Sequence, residues 1–231
     1  MRRTLREYGV VIGIAALSAV LFRFLILEAY SIPGPAMKPA LLPGDHVLVW
    51  KLPYVFLNHQ PARGAVVLFS PPEDPEHQYI RRVVGLPGDR VMIEGGSLIV
   101  NGRRARIDGS EPPGSWCAKE QLDETTYEAC GQQPELADLP ETTVAPKTVF
   151  LVADQRTRIS SLFPAAGVVP VGSLIGEAWW VWLSIVPRAD LPTAPGPGED
   201  RPLFSRLGST GFSGKWAREP LAALHRAALP A

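Results

Sequence analysis

Proline and glycine, 24 and 21 of 231 residues, are scattered so widely that the chain beyond its first thirty residues reads as short strands joined by turns, not as packed helices. Seven short apolar runs lie between these punctuation marks: His46 to Trp50, Ala65 to Phe69, Tyr79 to Val84, Arg90 to Ile93, Leu98 to Val100, Val149 to Val152 and Ile175 to Leu183. Pro87-Gly88-Asp89, Gly95-Gly96 and Asn101-Gly102 are turn chemistry, the last two suited to hairpin positions that need positive φ. The fold expected is mainly β. Residues 103–147 are less periodic and rich in Pro, Glu and Gly, and are read as an insertion outside the core.

The exception to this pattern lies at the start. From Gly9 to Leu27 run 19 residues whose one charge is Arg23, and a helix of that length spans ~28 Å, close to the bilayer core. A single transmembrane helix over 9–29 is therefore expected, after a basic N-terminus at 1–8. Arg2, Arg3 and Arg6, opposed by Glu7 alone, place that N-terminus in the cytoplasm and everything after Tyr30 outside. Arg23 can snorkel to the headgroups, as an anchor of helix depth or as a tolerated charge. A removable secretory signal is the competing reading. It lacks a small-x-small pair, because Leu27 would occupy the −3 place if Ala29 were −1.

Lys plus Arg balances Asp plus Glu at 23 each, which gives no support for nucleic acid as a partner. Cys117 and Cys130, with 12 residues between them in the polar insert, are expected to form one disulfide in an outward, oxidising compartment. Two free thiols or a redox pair are the alternatives, and neither is supported by a CxxC or a partner histidine. His46, His59, His77 and His225 show no ligand spacing, so no metal and no cofactor is expected. The aromatic stretch at 52–57 suits contact with membrane lipid, whereas Trp179-Trp180-Val181-Trp182 fits core or interface equally. After Pro187 the composition turns to Pro, Gly, Ala and charge, so 30–187 is read as the β domain and 188–231 as a tail. That tail holds a candidate short amphipathic helix within Trp216 to Leu229.

Two stretches carry a family resemblance. Ile32-Pro33-Gly34-Pro35-Ala36-Met37-Lys38-Pro39, continuing to Gly44-Asp45, and Tyr79-Ile80-Arg81-Arg82-Val83-Val84-Gly85-Leu86-Pro87-Gly88-Asp89 resemble bacterial type I signal peptidases, membrane-bound serine/lysine enzymes. The resemblance implies a β body resting on the membrane and exported preproteins or signal peptides as partners. It aligns the nucleophilic serine with Ala36, the lysine base with Arg81, the oxyanion hydroxyl with Gly34 and the hydroxyl that orients the lysine with Ile159. Tyr79 matches the substrate-pocket tyrosine, and Ile32, Pro33 and Met37 line the same groove. Scaffold positions remain, among them Met37, Asp45, Arg82, Gly88, Asp89, Asn101, Asp154 and Arg156, and Leu203–Gly208 in the tail resembles the closing strand near the C-terminus of such peptidases.

An alanine methyl cannot attack a carbonyl, and a guanidinium cannot serve as a base near neutral pH. Ser31 lies ~16 Å from position 36 along an extended chain, and nothing in the spacing of Ser160 or Ser161 to Lys38 or Lys51 argues for a new dyad. The leading expectation is a non-catalytic inner-membrane homologue that binds extended segments of exported proteins or assists an active paralogue. A working peptidase with a different dyad and a structural membrane protein with a vestigial groove are the rivals. A cation at position 81 would favour a carboxylate in the groove.

Overall fold

The computed structural model describes residues 8–15, 17–18, 26–56, 60–107, 115–132, 138–156 and 166–185. Residues 8–15 and 17–18 are helical and exposed, and no described helix is long and apolar enough to cross a membrane. The expected helix over 9–29 is corrected at its far end. Leu27–Ser31 forms strand β1, paired residue for residue with the later segment His46 to Trp50. Cross-strand hydrogen bonding, supported by a Lys51–Glu28 ion pair at 3.0 Å, overrides the apolar pattern there.

Twelve strands follow: β2 (Asp45–Trp50), β3 (Val66–Phe69), β4 (Tyr79–Gly85), β5 (Arg90–Glu94), β6 (Ser97–Val100), β7 (Arg103–Arg104), β8 (Ser115–Leu122), β9 (Thr125–Gln132), β10 (Leu139–Thr143), β11 (Thr148–Val152), β12 (Ala166–Pro170) and β13 (Leu174–Ser184). All seven runs read from the sequence are strands. A seven-stranded sheet is ordered β1-β2-β13-β3-β4-β11-β12, a four-stranded sheet β10-β5-β6-β7, and β8 and β9 form a hairpin. Val66 and Leu68 pack on one side with Ile32, Met37 and Val47, while Val67 and Phe69 pack on the other with Val83 and Leu151, so the large sheet is covered on both faces.

Gly95, Gly96, Asn101 and Gly102 all have positive φ, as the two tight hairpins on either side of β6 require. Asp89 organises the neighbouring turn: it accepts from the Leu86 N–H (2.6 Å), the Asn101 amide (2.8 Å) and Arg63 (2.6 Å). Asp45 does the same for the turn before β2, accepting from the Leu42 N–H and from Ser184 Oγ.

The described residues of 103–147 include core positions, so they are not an insertion outside the core. Trp116, Ala118, Leu122, Tyr127 and Ala129 from the hairpin pack with Val84, Val91, Leu98 and Phe150, and β10 pairs with β5. Inward and outward positions alternate along β8. The stretch at 52–56 is a short helix, Leu52–Phe56, lying against β13, with Tyr54 buried. Trp179 meets Trp50 edge to face, and Val181 enters the core. Trp180 and Trp182 turn outward, 42% and 46% exposed. Leu203–Gly208 and Trp216 to Leu229 lie outside the described residues.

Candidate functional site

Pro35–Met37 forms a single 3-10 turn, started by Pro35 and closed by the Lys38 N–H donating to the Pro35 carbonyl. Ala36 therefore sits in a turn and not on a strand beside β4, although that turn lies against β4. Its methyl packs against Ala153, and its carbonyl accepts from the Gln155 N–H at 3.0 Å. Ile32 and Met37 are buried beneath it, Pro33 is exposed, and Gly34 is extended at φ −145°. No atom outside its chain neighbours lies within 4 Å of a Cβ built at Gly34, so a hydroxyl-bearing side chain has room there.

Arg81 is 2% exposed, and its Nη1 donates to the Ile80 carbonyl at 2.7 Å. Burial pulls its pKa down to about 10, against the neighbouring Tyr30 and Tyr79 phenols and the Asp154 carboxylate that favour the cation. At neutral pH it is still charged and offers no lone pair. Tyr79 donates to Asp74 at 2.6 Å, and Asp74 also meets His77 Nδ1 at 2.7 Å. These two bonds hold the Asp74 carboxyl below its usual range, and the bond to Asp74 raises His77. Tyr30, on β1, donates to the Gln78 carbonyl at 2.9 Å.

Behind this surface lies a buried charge cluster. Arg82 meets both oxygens of Asp154, at 2.8 and 2.6 Å, donates to the Gly64 carbonyl at 2.7 Å, and stacks over the Tyr127 ring at 4.2 Å. Arg156 donates to Glu120 at 2.6 Å and to the Ala153 carbonyl, while Tyr127 donates to Glu120 at 2.6 Å. Two cations face two carboxylates, all four groups at most 1% exposed. Gly64 is required here: at φ +90° a Cβ would fall 2.7 Å from Thr125. The hairpin is tied in by its backbone too, because the Cys130 N–H donates to the Asp154 carbonyl and the Arg156 N–H to the Cys130 carbonyl.

Ala36 thus lies in a turn against β4; Ile80 packs with Ile32 and Met37 on one face of the large sheet, Tyr79 packs with Phe69 and Val83 on the other, and Asp154 and Arg156 belong to the buried charge cluster. Ile159 lies outside the described residues, as do Ser160 and Ser161. Cys117 and Cys130 face each other across β8 and β9 and are disulfide-bonded, with Cα atoms 4.1 Å apart. Sequence reasoning missed Glu120, Tyr127, Tyr30, Gln78 and Asp74. A signal for Glu120 existed: Trp116, Ala118, Glu120 and Leu122 alternate as one inward face, so a carboxylate in that register needs a buried cation.

A profile described as Signal peptidase, peptidase S26 matches residues 5–183. A signal peptidase I of Pseudomonas fluorescens is 30% identical over 229 residues, covering 87% of this chain and 78% of that protein. One from Rickettsia prowazekii is 26% identical over 202 residues, covering 72% and 75%. A crystal structure of a signal peptidase I from Enterococcus faecalis, 19% identical, superposes with a TM-score of 0.34 over 52% of this chain and 97% of that one. The profile spans most of the chain, and on that match the protein belongs to the signal peptidase I family.

Proposed function

We propose that this chain is a non-catalytic member of its family, held in the inner membrane with its β domain outside, where it binds extended segments of exported preproteins. The supporting observation is the pair at the family's reactive positions: a methyl packed on Ala153, and a buried guanidinium that already donates to a carbonyl. Hydrolysis by a serine/lysine dyad needs a hydroxyl and a neutral amine. Neither is supplied by Ala36 or Arg81, and the oxyanion hydroxyl is absent at Gly34. Loss of these roles leaves peptide binding possible, because an extended segment is held by main-chain hydrogen bonds and side-chain pockets. The carboxylate preference expected of position 81 requires displacement of Arg81 from Ile80, since the guanidinium is buried.

The test is a preprotein with an Ala-x-Ala site, incubated in detergent with immobilised full-length protein, Ala36→Ser and Ala36→Ser/Arg81→Lys. The wild-type chain retains the preprotein uncut, the single variant does the same, and the double variant gives trace cleavage. A general base alone contributes about 10²–10⁴-fold, so a serine without an amine stays silent. Clear turnover by wild type, abolished by mutating another serine, refutes the proposal.

A further inference from the structure

The Leu52–Phe56 helix has five residues and lies against β13. Among its described side chains Tyr54 alone is buried, in an apolar layer with Val67, Phe69, Tyr79 and Leu174. Its entry is pinned from the other side: the Lys51 N–H donates to the Ile26 carbonyl at 2.9 Å, and Lys51 Nζ meets Glu28 at 3.0 Å. A helix this short has little stability of its own, so its position depends on what holds that buried ring.

Against Tyr54 sits Glu177, 8% exposed, at a position where β13 is paired on both sides, with Trp50 of β2 and Val67 of β3. Tyr54 donates to Glu177 Oε2 at 3.1 Å, while Oε1 is buried and has no hydrogen-bond partner among the described residues. No described cation pairs with this carboxyl. β3 carries no charged residue, β13 no other one, Asp45 and His46 lie at the far end of β2, and Lys51 is engaged by Glu28. Arg81 meets Val67 from the other side of β3, ~10 Å from Glu177 across two strand spacings. Such a site suits a neutral acid. Ionised, the group would be a desolvated charge with a single hydroxyl donor, and burial accordingly pushes its pKa from 4.5 up to about 7.

We propose that the Leu52–Phe56 helix is a proton-controlled flap, closed over the large sheet while Glu177 is neutral and swinging out about Lys51 when Glu177 ionises. It goes beyond the peptide-binding reading above and does not depend on it. Lifting Tyr54 lets water reach both carboxylate oxygens, and it wets the apolar layer that also holds Tyr79. With the flap open the carboxyl titrates near 4.5, and with it closed near 7. The closed form is therefore favoured fully below pH 4.5, opening rises about tenfold per pH unit through the interval, and it levels off above about pH 7.

The experiment is backbone hydrogen exchange of the full-length protein in detergent, read by mass spectrometry from pH 5 to pH 8 and divided by the intrinsic rates, with β3 as internal control. In wild type the protection of residues 54–56 falls about 70-fold over that range while that of β3 stays level. Glu177→Gln keeps its pH 5 protection throughout. Tyr54→Phe retains the pH dependence and is less protected than wild type at pH 8, because the ionised carboxylate has lost its donor. Constant protection in wild type overturns the proposal. So does a fall that survives in Glu177→Gln, since another group then titrates, or an equal fall in β3, since the whole domain is then opening. Should Glu177→Gln fail to fold, the slope in wild type and its confinement to the helix decide the matter.

Discussion

Replacing Asp154 by asparagine keeps the side-chain volume and removes one charge from the buried cluster. Asp154 is the double acceptor for Arg82, and both side chains are at most 1% exposed. After the change Arg82 keeps the Gly64 carbonyl and the Tyr127 ring but loses its counter-charge, while Arg156 remains positive nearby. Breaking one side of a buried pair costs about 3–5 kcal/mol, because the remaining ion stays desolvated and uncompensated. For a domain of this size that is a fall in Tm of about 6–20 °C. Arg82→Met combined with Asp154→Asn should recover a good part of the loss, since no unpaired charge is then left inside. The assay is thermal unfolding of the full-length protein in detergent, followed by far-UV circular dichroism. An Asp154→Asn protein melting within ~2 °C of wild type, or a double variant melting below the single one, would refute the electrostatic argument.

Glu177 is buried, hydrogen-bonded to Tyr54 at 3.1 Å, and burial pushes its pKa from 4.5 up to about 7. Its folded pKa exceeds the unfolded one, so its contribution is fully present below pH 4.5 and is lost as pH rises through about 7. Glu177→Gln should match wild type in Tm near pH 4.5 and exceed it at pH 8, by on the order of 3 kcal/mol; parallel pH profiles for the two proteins would show that Glu177 titrates normally. Removing both cysteines as Cys117→Ser/Cys130→Ser should cost about 3 kcal/mol from loop entropy, read as a lower midpoint in urea, and an unchanged midpoint contradicts this. Protease added outside spheroplasts should digest the bulk of the chain, in keeping with Arg2, Arg3 and Arg6 before the apolar run; protection of residues 30–185 would invert the topology.

The seven core strands were legible because each is a short apolar run bounded by Gly or Pro, and the hairpin turns because Gly-Gly and Asn-Gly fit positive φ. β1 was not legible, since Leu27 ends an apolar run that reads as helix and the segment from there to Ser31 acquires strand geometry only by pairing with β2. The β8–β9 hairpin was missed for another reason. Its outward positions, Lys119, Gln121, Thr126 and Glu128, give the segment a polar composition that hides the inward face. In the site, the vacant roles at Ala36, Gly34 and Arg81 could be read from a motif, but the partners of Arg82 and Arg156 could not. Glu120 and Tyr127 lie tens of residues away, and topology alone delivers them. The engagement of Ile80 by Arg81 is a rotamer choice, invisible to any pattern of residue types.

Trp180 and Trp182 stand two residues apart on β13 and face outward, whereas Trp116 is buried and Trp50 and Trp179 rest against each other. The chain therefore carries a built-in optical reporter for one patch of its surface. Indole emission shifts to shorter wavelength as water is replaced by hydrocarbon, so once Trp216, which lies outside the described residues, is replaced by phenylalanine, the exposed part of the emission reads whatever medium lies against that strand. Lipids brominated at known depths would quench these two side chains first if the patch rests on a bilayer, measuring in ångströms how far the β body sits from the membrane surface without any added label.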